Sequence, residues 1–190
     1  MDEQNISPEE SLQIITGMIG KAKSNFARGG SFYFLLWGSF IALADFGHFG
    51  LMKFTDYNHP YIVWLLVIPA VIITIIYSIR KAGKRTVVPS SFDRIYGKLW
   101  WAIFACIIMV LVFMSNLNYQ TTPVILLFSA VGTYVTGEVL RFRPLIFGGL
   151  ALALCAVVAF LVPIEFQYLI AGIGMCVGYL IPGYLLKKGE

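Results

Sequence analysis

Residues 61–85 read YIVWLLVIPAVIITIIYSIRKAGKR. The stretch from Tyr61 to Ile79 carries no charge and is long enough, at about 1.5 Å per helical residue, to cross the roughly 30 Å hydrocarbon layer of a bilayer. It stops at Arg80, Lys81, Lys84 and Arg85. An apolar helix that ends in a block of cations is a membrane span with its basic end held on the cytoplasmic side during insertion.

The same reading extends outward in both directions. Apolar runs predict spans over 31–49, 61–79, 99–114, 122–140, 145–161 and 166–185. Alternate gaps between them hold Lys21, Lys23 and Arg28; Arg80, Lys81, Lys84, Arg85, Arg94 and Lys98; Arg141 and Arg143; and Lys187 and Lys188. Of the 14 Lys and Arg residues, Lys53 alone falls on the other side. The expected fold is therefore all-α: a polytopic membrane protein of six transmembrane helices, with both termini in the cytoplasm.

Composition agrees. The 190 residues are 58% hydrophobic and 13% charged, above the apolar share of about half in soluble domains, and the mean hydropathy is +0.79. A net charge of +4 follows from the cytoplasmic cations and points to lipid headgroups, not to nucleic acid. The chain divides into residues 1–30, a cytoplasmic amphipathic helix and turn, and 31–190, the transmembrane domain. The acidic Asp2 and Glu3 are the reverse of a signal peptide's basic start, so the first span is expected to serve as its own insertion signal.

Ser7, Pro8, Glu9 and Glu10 read as a helix start. Beyond them Leu12, Ile15, Met18, Ile19, Ala22 and Phe26 share an arc of about 120° at helical period. That stripe suits the inner membrane surface, and as a short heptad seam it also suits a protein partner or self-association. The 80–98 connection, the one long cytoplasmic loop, is a second candidate contact.

The spans pair as three hairpins, each return beginning near a proline (Pro60, Pro123, Pro163) and ending in cations. In lipid, close helix contact is made by small residues. Gly137, Gly149, Gly174 and Gly178, with Ser129 and Thr133 on the fourth span, are the expected packing positions. Pro182 beside Gly178 and Gly183 predicts a kink. Trp64 and Tyr168 fit an outer aromatic belt, Tyr96 and Trp100 an inner one.

Ionisable groups within spans are the natural functional candidates because they are costly to place there. Asp45 and His48 lie three apart on the first span, and Glu138 lies near the cytoplasmic end of the fourth. Asp56, His59 and Glu165 could add an outer acidic patch able to take a proton or a cation. The plainer readings are an Asp45–His48 pair that satisfies itself and a Glu138 paired with Arg141 or Arg143. No metal-ligand spacing is present, and Cys106, Cys155 and Cys176 lie unpaired within spans. No cofactor or catalytic set is expected.

The segments SPEESLQIITGMIGKAKSNFARGGSFYFLLWG (7–38), HPYIVWLL (59–66), RFRPLIFGG (141–149) and GYLIPGYLLKK (178–188) resemble a group of small, uncharacterised bacterial inner-membrane proteins. The resemblance covers nearly the whole chain. It implies six spans and a cytoplasmic amphipathic N-terminal helix, and it brings no activity or catalytic residues. The expected function is a non-enzymatic accessory, sensory or partner-binding membrane component; the alternative is a small ion, proton or solute transporter or channel acting as an oligomer.

Overall fold

In the computed structural model, which describes residues 7, 17, 30–83 and 91–189, six helices are long and apolar enough to cross a membrane. Among the described residues there is no β-strand. Helix α1 spans Gly30–Phe54. A 3-10 segment, Pro60–Leu66, continues into α2, Val67–Gly83. Helices α3 (Ser91–Val112), α4 (Thr121–Leu140) and α5 (Arg143–Leu161) follow. The sixth span is composite: α6 (Ile164–Met175), a π-helical turn (Cys176–Leu180) and α7 (Ile181–Lys188). The chain is an all-α multi-pass bundle.

The composite sixth span lies at the centre. It packs along α1 on one side and along α5 and α4 on the other, and half of its most apolar window is buried. The second span packs on the outside of α1 and has only 6% of its window buried; α3 packs outside α4. Ile68, Ile72, Ile75, Ile76 and Ile79 of α2 are exposed. In a bilayer such a face meets acyl chains, which are as apolar as the side chains themselves.

The two spans of each expected hairpin are in contact. The most extensive contact joins α4 to α5, which belong to different expected hairpins, and its causes are local. Arg141 takes the left-handed conformation (φ 52°), its N–H bonding the Glu138 carbonyl, while the N–H of Phe142 bonds that of Gly137 at 2.9 Å. This cap turns the chain back within two residues. The helices then touch at glycine: a Cβ on Gly137 would stand 2.6 Å from the Ile146 nitrogen, and one on Gly149 2.7 Å from the Tyr134 nitrogen. Gly178 similarly makes room for Leu152, and Gly174 for Cys155.

Two expected boundaries shift. α1 runs five residues beyond Phe49, so Lys53 is on its last turn. The connection expected over 80–98 is largely helical, because α2 reaches Gly83 and α3 begins at Ser91; residues 84–90 lie outside the described residues. So do the stripe residues Leu12, Ile15, Met18, Ile19, Ala22 and Phe26. At Pro182 the departure from regular helix is the π turn just before it, which relieves the missing proline N–H and ring clash by widening the preceding turn.

Helix direction gathers the charges. Tyr33 hydrogen-bonds Ser78 at 2.9 Å, Phe34 meets Trp100, and Gly30 lies beside Leu186. Arg80, Lys81, Lys98, Arg141, Arg143, Lys187 and Lys188 therefore share one end of the bundle. Lys53 stands at the other, with Asp56, His59 and Glu165.

Candidate functional site

α1 and α6 run antiparallel, and their facing side chains carry the described polar site. Asp45 is 1% exposed and His48 6%. They are on one face of α1, as a three-residue spacing dictates, yet they do not satisfy each other. The indole N–H of Trp64, from the 3-10 segment, donates to Nδ1 of His48 at 2.8 Å. The imidazole stacks on Tyr168 of α6, ring centroids 3.9 Å apart and planes 12° from parallel. Asp45 Oδ2 is buried without a hydrogen-bond partner.

This arrangement fixes the state of the histidine. An indole nitrogen can only donate, so Nδ1 must offer its lone pair and the ring hydrogen is on Nε2. While the Trp64 bond is intact, His48 is the neutral Nε2–H tautomer. The unpartnered Asp45 oxygen is then an open acceptor, a position that costs about 1–3 kcal/mol unless a proton, water or other donor fills it.

A second polar pair lies nearby on the same half of the bundle. Gln167, 0% exposed, donates to Gln120 Oε1 at 2.7 Å and tying α6 to the start of α4, while its own Oε1 has no partner. Neither glutamine is charged, so neither stands out among the ionisable groups of the spans. The signal available was a glutamine within the first turn of a span, facing another just before the fourth.

The outer patch does not converge. Lys53 pairs with Glu165 at 3.4 Å, both about half exposed, and lies over the Phe166 ring at 5.5 Å. His59 Nδ1 bonds the Tyr61 hydroxyl at 2.8 Å. Asp56 is exposed. Among the described residues no three His, Cys, Asp or Glu side chains are grouped to hold a metal ion.

Glu138 is likewise apart from Asp45. It is exposed on the outside of α4 next to Tyr134, and neither Arg141 nor Arg143 lies within ion-pair distance of it. The expected pairing is absent because α4 ends at Arg141 in a left-handed turn that redirects the chain before Arg143. The other polar groups of α4 bond inward: Thr133 to the Ser129 carbonyl at 2.7 Å, Thr136 to the Gly132 carbonyl at 2.6 Å. Both hydroxyls are buried.

The belt residues divide by direction. Trp101 is exposed at 72%, whereas Trp64, Tyr168 and Trp100 turn into the bundle, the last against Phe34 and Tyr179. The chain matches no protein-family model, no curated protein and no solved structure.

Proposed function

We propose that this protein is a non-enzymatic accessory, sensory or partner-binding component of a bacterial inner membrane, with its basic end in the cytoplasm. The observation that carries this reading is the separation of Asp45 from Glu138. A conduction path needs polar groups that face one another along a water-accessible interior. Here Glu138 points out of the bundle, and Thr133 and Thr136 spend their hydroxyls on their own helix. Between the two levels the interior is close-packed by Phe34, Ala42, Ala130, Leu152, Ala156, Met175 and Tyr179, whose buried hydroxyl lies against Ser129 and Thr133.

The orientation rests on the clustering of cations at one end. We assign partner contact to the N-terminal stripe, Leu12 to Phe26, and to the segment joining α2 and α3. The buried Asp45–His48–Trp64 group supplies the sensory element, since its bonding depends on the protonation state of an imidazole.

Reconstitution into liposomes tests the reading against transport. Proton and potassium flux no greater than in protein-free vesicles is expected. Flux that is present in the unaltered protein and abolished in both Asp45→Asn and Glu138→Gln would overturn it in favour of a transporter. Deletion of residues 1–28 is expected to reduce self-association or partner retention in detergent-solubilised membranes while leaving the six spans folded.

A further inference from the structure

We infer that the basic end of the bundle holds one anionic phospholipid, its phosphate on Arg143 and an acyl chain in the groove between α5 and the composite sixth span. The groove has a volume of about 380 Å³. Arg143 stands in its wall, and the rest of that wall is apolar, including Phe147, Gly148, Val177, Ile181 and Leu185.

The shape follows from the two local sequences. Gly148 brings the helices together: a Cβ there would lie 2.8 Å from the Gly178 carbonyl oxygen. The groove floor is thus bare backbone and the Pro182 ring, while Phe147, Val177, Ile181 and Leu185 stand around it, each at least 40% exposed. A concave apolar surface open to the hydrocarbon, about 12 Å long from Leu185 to Val177 at the helical rise, fits a lipid chain.

Charge selects the headgroup. Arg143 is exposed and has no carboxylate within ion-pair distance among the described residues. Arg141, Lys187 and Lys188 stand at the same end, on the terminal turns that flank it. Guanidinium pairs with phosphate through parallel N–H donors, and basic pockets between spans at a membrane surface favour anionic lipids. A neutral zwitterionic lipid would fill the groove equally well but gain less from Arg143.

Native mass spectrometry of the whole protein, released from neutral detergent after exposure to an equal mixture of phosphatidylglycerol and phosphatidylcholine with matched chains, tests this. Retention of phosphatidylglycerol about fivefold above phosphatidylcholine is expected, the effect of one juxtamembrane cation. Arg143→Gln should remove the preference and Arg143→Lys keep most of it. Val177→Trp, or Ile181→Trp if that variant does not fold, fills the groove and should lower retention of both lipids. Lys53→Gln, at the other end, should change neither. Equal retention of the two lipids, a preference surviving Arg143→Gln, or undiminished binding in a folded groove-filling variant overturns the proposal.

Discussion

The indole nitrogen of Trp64 and Nδ1 of His48 are joined by a 2.8 Å hydrogen bond that ties the 3-10 segment to the first span. Trp64→Phe keeps an aromatic ring, though a smaller one, and removes the donor. It should destabilise the protein by roughly 1 kcal/mol, toward the upper range of polar contacts between membrane helices. Thermal unfolding in detergent checks this, and an unchanged midpoint would mean that the imidazole finds another donor.

The same bond requires an unprotonated Nδ1. Acidification that protonates His48 sets two N–H groups against each other and breaks it, so the Trp64 contact is present with the neutral ring and lost with the charged one. Tryptophan emission followed during acidification should change in the native protein once the imidazole takes a proton. The change should be missing in Trp64→Phe and in His48→Gln. Identical curves for the three proteins would remove the sensory role.

Asp45→Asn tests the open acceptor. Because Oδ2 has no partner, exchanging the carboxylate for a neutral amide should leave the fold intact and its stability equal or higher. A loss greater than about 2 kcal/mol, the scale of a broken buried polar contact, would reveal a bound donor at that oxygen.

Glycine substitutions should separate by what a Cβ meets. Gly137→Ala and Gly149→Ala each press on backbone atoms, at 2.6 and 2.7 Å, and should cost about 1–3 kcal/mol as overpacking. Gly50→Ala meets nothing within 4 Å and should be neutral or stabilising by up to about 1 kcal/mol through helix propensity. Resistance to denaturing detergent ranks the three, and a Gly50 variant weaker than both others would contradict the α4–α5 contact.

Glu165→Gln breaks the Lys53 ion pair, whose side chains are 46% and 47% exposed. A pair so open to solvent contributes little, and the change should stay below about 1 kcal/mol. Unfolding at low and high salt should differ little between the two proteins.

How much of this was legible in the sequence depended on whether a signal measures depth or direction. Apolar length and cation placement report depth, so six apolar helices are legible, although the end of α1 and the start of α3 lie five and eight residues from the expected bounds. Trp64 and Tyr168 were placed at a plausible depth, but the belt rule says nothing about azimuth, and both turn inward to His48. The Asp45–His48 pairing failed for the same reason: helical spacing puts the two on one face without telling which neighbour reaches them first. Gln120 and Gln167, 47 residues apart, could be paired only by the fold. Pro182 signalled a disturbance of the helix; that it takes the form of an extra-wide turn depends on how α5 fits against Gly178.

That wide turn sets a direction. The buried stripe of the sixth span passes through Gln167, Ala171, Met175, Tyr179, Pro182 and Leu186, at first by steps of four, slower than the 3.6 residues of a regular turn. Uncorrected, such a stripe would wind off the core face; the π turn at Cys176–Leu180 takes up the excess. Winding the same residues as regular α-helix, with the surplus one no longer taken up, would swing everything beyond them by about 100°. Leu186 would leave the interior, and Lys187 and Lys188 would point elsewhere around the rim. The azimuth of the final charged turn is thus held by the widening of a single turn upstream.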